Sequence, residues 1–252
     1  TLLHFPLADG TWLCDPPRVR RGKDGGGVAE ALLRAAAREA SARSVPLLRL
    51  HLEEGEARLE DPLRDAGWTH AAEMQRLARP VGKIDGERDG GADAPLAWET
   101  RAPDRPGDLL EILRRTQEDS LDVPALAPAD TATLAFFAPA PPAEAVWEVA
   151  RVAPARVVGD PGGCLLATVH RAQGTAEIRY MGLVKTARGR GWGAALVRRA
   201  LRHARAALAV EISVTADLRN LPAIRTYARA LFRPVSRFGL WLHRTGVGEL
   251  ES

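Results

Sequence analysis

The feature that most constrains the fold of this chain is an internal repeat without a gap. A glycine followed 41 residues later by an aromatic residue occurs twice, as Gly27 with Trp68 and as Gly191 with Phe232. Unrelated amphipathic α/β units can share a periodicity, but the match at both ends favours two copies of one fold. The two glycines are 164 residues apart, and at this offset the apolar positions of a helix–strand–helix pattern coincide. The matching pairs are Leu32 with Leu196, Leu33 with Val197, Ala36 with Ala200, Ala40 with Ala204, Leu48 with Ile212 and Leu50 with Val214.

The two copies differ in length and in their polar residues. Only 26 residues precede Gly27, which is too few for the strands and helices that the pattern predicts before the second glycine. Asp24 stands at the position equivalent to Arg188, where an acidic residue would repel a phosphate group. Residues 81–95 are rich in glycine and aspartate, which is typical of a linker. We therefore predict a truncated, degenerate copy over residues 1–80, a linker over 81–95 and a complete domain over 96–252.

The complete domain alternates between strand and helix patterns. Gly174 lies in a short turn between two strand patterns and predicts a hairpin. The helix after Gly191 carries a predicted apolar stripe of Leu196, Ala200, Leu201, Ala204 and Leu208, and in the next strand Val210, Ile212 and Val214 share a face. Strands are predicted over residues 96–102, 145–152, 163–172, 176–184, 209–216 and 232–244, the last broken by Pro234, and helices over 106–120, 128–138, 194–208 and 221–231.

The composition restricts the classes of protein to consider. A net charge of +3 is too small to predict nucleic-acid binding without a basic patch. Cys14 and Cys164 lie far apart and form no CxxC motif, so neither a disulfide framework nor a metal site is expected. The apolar runs are too short for a membrane span, and the N-terminal stretch lacks the pattern of a signal peptide. These features favour a cytoplasmic protein.

Residues 188–196, RGRGWGAAL, form a glycine-rich turn that opens a helix, a common site for phosphate because the first N–H groups of a helix have no partner. A dinucleotide-binding fold would need the glycines directly after a strand, but four residues separate the strand from Gly189. A nucleoside-triphosphate loop would need Lys followed by Ser or Thr, where Ala194 and Ala195 stand. Neither of these phosphate-binding families is therefore favoured.

The turn and the residues downstream resemble the GNAT superfamily of acyl-CoA-dependent N-acetyltransferases. Residues 188–193 fit that family's Arg/Gln-x-x-Gly-x-Gly/Ala loop, and Asn220, Ala223, Tyr227 and Phe232 fit its downstream pattern. The resemblance covers residues 96–245, and it departs from the family where Leu231 replaces a glycine and Lys185 a common proline. It implies a mixed α/β fold with a mostly antiparallel twisted sheet flanked by helices, preceded here by a partial copy of the same fold.

The same resemblance implies the residues of a site. Tyr227 is the candidate general acid, because a phenol can return a proton to a departing thiolate. Glu177 is the candidate base, with Tyr180 and His170 as alternatives. Glu118, Asp119 or Asp122 could attract a cationic amine. Acetyl-CoA would be held by Leu183, Val184, Lys185, Arg188, Gly189, Arg190, Gly191, Trp192, Gly193, Ala194 and Asn220.

The function that the resemblance implies is transfer of an acetyl group from acetyl-CoA to a primary amine by direct attack, carried out by the C-terminal domain without a metal. The acceptor would be a small molecule or a peptide, and neither a nucleic acid nor a membrane is expected as a partner. A non-catalytic acyl-CoA-binding regulatory module is the alternative, since such a module would keep the loop. Retention of both Tyr227 and Glu177 favours the enzyme.

Overall fold

A computed structural model describes residues 1–7, 9–20, 25–82, 95–122, 137, 143–152 and 160–246. The chain forms two compact units, and each gathers parts that are distant in sequence. The first unit consists of Thr1–Gln75 and Ser236–Ser252, and the second of Arg76–Val235. These boundaries differ from the predicted segments 1–80 and 96–252, because residues 236–252 group with the N-terminal part. The predicted linker lies almost entirely outside the described residues.

The first unit contains five strands and two helices among the described residues. Its sheet has the order β1-β2-β3-β10-β4, in which β1 and β2 are antiparallel, β2 and β3 are parallel, and β3 and β10 are antiparallel. The elements are β1 (His4–Pro6), β2 (Trp12–Cys14), α1 (Gly25–Ala42), β3 (Leu47–Glu53), a 3-10 turn (Glu54–Leu59), α2 (Glu60–Asp65), β4 (Thr69–Pro80) and β10 (Arg233–Arg244).

The second unit has the strand order β4-β9-β8-β7-β6-β5, with antiparallel pairing from β5 to β8 and a parallel pair between β8 and β9. Gly174 adopts a left-handed conformation in the predicted β7–β8 hairpin. The predicted helix over 128–138 lies outside the described residues apart from Phe137. The elements are β5 (Leu96–Arg101), α3 (Leu109–Gln117), β6 (Glu144–Val152), β7 (Pro161–His170), β8 (Thr175–Leu183), α4 (Gly193–Ala206), β9 (Glu211–Asp217) and α5 (Leu221–Arg229). The predicted fold class, a mixed α/β fold with a mostly antiparallel sheet flanked by helices, is confirmed.

The 164-residue offset of the repeat also relates the observed elements. Strands β3 and β9 have equivalent bounds, as do β4 and β10, and helices α1 and α4 end at equivalent residues. The left-handed backbone positions also correspond, Ser44 to Leu208 and Gly67 to Leu231. The two copies therefore share local structure from the helix to the last strand.

Three details of the sequence prediction are wrong. Leu208 and Val210 were placed on the apolar faces, but they are 83% and 68% exposed. Leu208 has φ of 58°, so the helix has already ended at Ala206 and the chain turns there, which carries both side chains away from the core. Pro234 does not break β10, because it is the second residue of the strand, where a missing N–H is tolerated.

The core of the second unit lies on both faces of its sheet. Leu165 and Ala167 of β7 pack on one face against Val197 and Ala200 of α4. On the other face Leu166, with Trp147 and Val149, packs against Leu109, Ile112 and Leu113 of α3. Because successive side chains of β7 point to opposite faces of the sheet, the strand contributes to both cores. This explains why its sequence is a nearly continuous apolar run.

Candidate active site

Strands β8 and β9 pair over only part of their lengths. Residues 175–178 of β8 lie parallel to residues 211–214 of β9, whereas β8 continues to Leu183 and β9 to Asp217. At the end of this ladder β8 carries a bulge, since Leu166 opposes Tyr180 and Ala167 opposes Ile178. Arg179 is the additional residue. Residues 179–183 of β8 and residues 215–217 of β9 therefore lie outside the parallel ladder, and we call them the divergent ends of the two strands.

The bulge at Arg179 reverses the direction of the residues after it, as one inserted residue does in a sheet. Ile178 packs in the core beneath α4, and without the bulge Tyr180 would share that face. Tyr180 instead packs on the core of α3, where its hydroxyl lies 2.9 Å from Thr116 Oγ1. The bulge therefore places a phenol beside the end of α3.

The N–H group of Leu183 points away from β7. Val184 donates its N–H to Gly162 O at 3.0 Å, and N–H groups alternate along a strand. Leu183 opposes Gly163 in the β7–β8 ladder as the neighbouring, non-hydrogen-bonded pair. Its N–H is consequently directed to the side of β8 where the parallel ladder with β9 has ended. A donor at this position can polarise a carbonyl oxygen.

The loop before α4 presents a row of free amides. Gly189 and Gly191 have φ of 75° and 77°, a conformation that favours glycine, and a Cβ at either would meet open space. Among the described residues, none accepts a hydrogen bond from the backbone N–H of residues 189–193. Ala194, also predicted to bind the cofactor, donates its N–H to Gly191 O at 3.2 Å. The row of amides and the N-terminus of α4 together form a cradle that fits a pyrophosphate.

The two arginines of the loop have different surroundings. Arg190 lies over the ring of Trp192, 5.2 Å from its centroid, and is exposed. Arg188 donates to four carbonyl oxygens, those of Leu183 at 3.1 Å, Thr116 at 2.9 Å, Glu118 at 2.7 Å and Asp119 at 3.4 Å. Three of these carbonyls belong to the end of α3, where backbone acceptors lack helical partners. Arg188 therefore fixes the loop to α3.

Lys185 and Asn220 also make contacts within the protein. Lys185 Nζ lies 2.6 Å from Asp119 Oδ2, and both side chains are exposed. Asn220 accepts the N–H of Ala223 through Oδ1 at 3.2 Å and so caps α5. This cap uses the oxygen of the Asn220 amide and leaves its NH₂ group for other partners.

Tyr227 is buried on α5, with its ring 5.8 Å from that of Phe232. Burial raises the pKa of the Tyr227 phenol above its ordinary value, and Asp122 and Tyr180 raise this pKa further. The hydroxyl is therefore protonated at neutral pH. This is the state that a general acid requires.

Glu177 lies on the opposite face of β8 from Tyr227. Its neighbours Ala176 and Ile178 pack in the same core as Tyr227, so alternation directs Glu177 to the other side. Its carboxylate accepts a hydrogen bond from Arg179 Nη1 at 3.2 Å. The alternative base His170 ends β7. Tyr180 raises the pKa of the Tyr227 phenol, and Glu177 is not among the groups that do so.

Of the three acidic residues after α3, only Asp122 is withdrawn from solvent. Its Oδ1 accepts the backbone N–H of Asp217, at the end of β9, at 3.0 Å. Burial raises the pKa of Asp122, as does the charge of the neighbouring Asp217, although the hydrogen bond and the charge of Arg219 oppose this shift. Glu118 and Asp119 are exposed. The sequence placed all three in one run and offered no signal that separated them.

Neither a membrane-spanning helix nor a metal-binding group was found in the part of the chain that the structure describes. No described helix is both long and apolar enough to cross a bilayer. Nor do three or more His, Cys, Asp or Glu side chains come together there in a way that could hold a metal ion.

The comparison with solved structures supports the fold over almost the whole chain. A GCN5-related N-acetyltransferase from Sphaerobacter thermophilus is 15% identical, with 97% of this chain and 76% of that chain covered and a TM-score of 0.61. A GCN5-related N-acetyltransferase from Kribbella flavida is 20% identical, with 95% and 83% covered and a TM-score of 0.60. A tandem GNAT protein from the clavulanic acid biosynthesis pathway is 16% identical, with 94% and 76% covered and a TM-score of 0.58.

A similarity to one family is also found in the sequence. No curated protein matches the chain significantly. The profile of the Acetyltransferase (GNAT) family matches residues 116–231, which include α3's last residues, the divergent strands, the loop and Tyr227. Residues 116–231, somewhat less than half of the chain, are therefore similar to the GNAT family of acetyltransferases.

Proposed function

We propose that the protein is an N-acetyltransferase that uses acetyl-CoA as co-substrate and transfers the acetyl group directly to a primary amine of a small molecule or peptide. The observation that carries this proposal is the row of free amides at residues 189–193, which leads from the divergent ends of β8 and β9. Similarity to the GNAT family supports acetyl-CoA as the donor. We propose that the enzyme is cytoplasmic and that the reaction proceeds without a metal.

We assign the following roles in binding and catalysis to residues of the domain. The loop amides and the start of α4 would bind the pyrophosphate, with Arg190 adding positive charge at the surface. Arg188 would act by holding the loop against α3. The N–H of Leu183 would stabilise the negative charge that develops on the acetyl oxygen.

Tyr227 would supply a proton to the sulfur as the C–S bond breaks. The amine nitrogen forms the new C–N bond and then loses a proton, which restores the Tyr227 phenol, so the phenol ends unchanged. Glu177 stays a candidate base on the resemblance alone. We propose that the first copy, with Leu63 at the position of Tyr227, is a degenerate copy without this chemistry.

A matched pair of substitutions at Gly191 tests the cradle. Asp and Asn both tolerate a left-handed backbone, and a side chain at Gly191 meets open space. Gly191→Asp adds a negative charge where the pyrophosphate would bind, so we expect acetyl-CoA affinity at least about tenfold below that of Gly191→Asn. Isothermal titration calorimetry with acetyl-CoA measures both.

Equal affinities for the two variants would contradict the cradle, and the absence of acetyl-CoA binding to the unsubstituted protein would contradict the function. A thiol-release assay with a panel of primary amines then separates an enzyme from the alternative, an acyl-CoA-binding regulatory module. The enzyme releases CoA only when an acceptor is present, whereas the module binds acetyl-CoA and releases none.

A further inference from the structure

One short stretch of the chain makes contacts on the sides of both β8 and β9. This stretch, the bridging segment (residues 116–122), begins at the last turn of α3 and ends at Asp122. On the β8 side, Arg188 donates to Thr116 O and Glu118 O, and the Tyr180 hydroxyl lies 2.9 Å from Thr116 Oγ1. On the β9 side, the N–H of Asp217 donates to Asp122 Oδ1. The bridging segment is therefore fixed at both ends.

This arrangement places one carboxyl group at the open end of the two strands. Asp122 is partly buried, and the hydrogen bond from Asp217 N uses only one of its oxygens. The groups that face it are Asp217 and Arg219 from the end of β9, Tyr227 from α5 and Tyr180 from β8. Arg219 binds the fully buried Asp217 carboxylate through Nη2 at 2.6 Å. Arg219 thus compensates the negative charge of Asp217, and its positive charge also lowers the pKa of Asp122.

The other acidic residues near the site are less suited to act on an amine. Glu177 lies across β8 from Tyr227 and is engaged by Arg179. Asp119 is exposed and paired with Lys185. Asp122 is withdrawn from solvent and, unlike these two carboxylates, acts electrostatically on the Tyr227 phenol.

We propose that Asp122 is the residue that binds the acceptor as a primary alkylammonium ion and removes its proton, which deepens the proposed function and rests on it. One proton passes from the ammonium nitrogen to the Asp122 carboxylate and leaves a neutral amine. The nitrogen lone pair then forms the C–N bond while the C–S bond breaks. The sulfur takes the Tyr227 proton, and the nitrogen's remaining excess proton returns to that phenol. Asp122 releases its proton to solvent.

The test compares two nucleophiles that differ in their need for a base. A primary alkylamine is protonated at pH 7 and requires deprotonation, whereas hydroxylamine is already neutral there. The acceptor is chosen as the fastest of ethanolamine, glucosamine, spermidine and an alanyl dipeptide in the thiol-release assay. Asp122→Asn keeps an oxygen to accept the N–H of Asp217 and removes only the charge.

We expect Asp122→Asn to lower kcat/KM for the alkylamine at least about 100-fold and for hydroxylamine by no more than about threefold. Acetyl-CoA affinity is expected to be unchanged. In the unsubstituted protein kcat/KM for the alkylamine rises with pH as Asp122 deprotonates, and because burial raises the pKa of Asp122 this limb is displaced to higher pH. The variant loses that limb. Glu111→Gln, an equal charge change at an exposed position of α3, is expected to alter neither rate.

Three results overturn the assignment of Asp122 alone: full alkylamine activity in Asp122→Asn, an equal loss with both nucleophiles, or the selective loss in Glu177→Gln instead. If the unsubstituted protein binds no acetyl-CoA, or transfers its acetyl group to neither nucleophile, the proposed function itself is wrong, and this inference with it.

Discussion

Leu231 shows how one residue departs from its counterpart in the other copy. Leu231 and Gly67 hold equivalent positions after a helix, and both have positive φ, 65° and 80°. A left-handed backbone costs a residue with a Cβ about 1–2 kcal/mol, whereas glycine adopts it freely. The family's glycine is replaced at Leu231, but the chain keeps there the left-handed backbone conformation that glycine favours.

We expect Leu231→Gly to raise the free energy of unfolding by about 0.5–1 kcal/mol, since relief of strain outweighs the added freedom of the unfolded chain. The Leu231 side chain is 55% exposed, so little packing is lost. Urea unfolding measures the change. Gly67→Ala is the matched control and is expected to destabilise by a similar amount. A lower unfolding midpoint for Leu231→Gly would show that the side chain contributes more than the strain costs.

At the scale of elements, the loop before α4 and helix α3 depend on one another. Arg188 supplies donors to three carbonyls at the end of α3 and to Leu183 at the end of β8. The planar guanidinium spreads five N–H donors over three nitrogens, whereas the three donors of a lysine lie on one nitrogen. A residue that the family pattern associates with phosphate thus also terminates a helix. Its removal should alter the structure as well as ligand affinity.

We expect Arg188→Ala to destabilise the protein by about 1–3 kcal/mol, because carbonyls at the end of α3 lose a charged donor. Hydrogen exchange of amides 113–119 should accelerate relative to the rest of the chain. Arg190→Ala, which removes an equally charged residue that lies over Trp192, is expected to change stability by less than about 0.5 kcal/mol. Equal, small effects in both variants would contradict the role of Arg188 in fixing α3.

The sequence predicted the elements better than their long-range partners. The sequence predicted the helix and strand that follow Gly191, because periodicity is a local signal, although the helix ends at Ala206 and not at Leu208. The bulge at Arg179 was not predicted, because one shift in the apolar alternation of a short strand does not identify the additional residue. The partners of Arg188 and Asp122 depend on which strands become neighbours. For the same reason, the sequence did not indicate that β10 pairs with β3.

At the scale of the whole molecule, each compact unit needs a strand that sequence order would assign elsewhere. Residues 238–244 of β10 pair with β3 in the first unit. Residues 76–80 of β4 belong to the second unit, where Leu77 is 1% exposed in the core. The segment from 96 to the end is therefore not equivalent to either unit.

A chain of residues 96–252 lacks Leu77, and we expect it to lose cooperative unfolding, because deletion of one buried leucine side chain already costs about 2–5 kcal/mol. A chain of residues 76–235 keeps the whole second unit and is expected to be the more stable of the two. Circular dichroism melting and size-exclusion chromatography compare them. If the 96–252 chain is monomeric, unfolds cooperatively and equals the 76–235 chain in stability, the predicted domain boundary at residue 96 is supported instead.

The pairing of β3 with β10 also sets the order in which the protein can be completed during synthesis. Leu47 pairs with Arg244, near the other end of the sequence. At about 5–20 residues per second, a ribosome needs roughly 10–40 s to make the intervening chain. During that interval β3 has an unoccupied edge, and contacts between such distant residues form slowly. The β3 strand of the first unit is thus synthesised long before its partner β10, and the sheet of that unit is completed only after residues near 244 have been made.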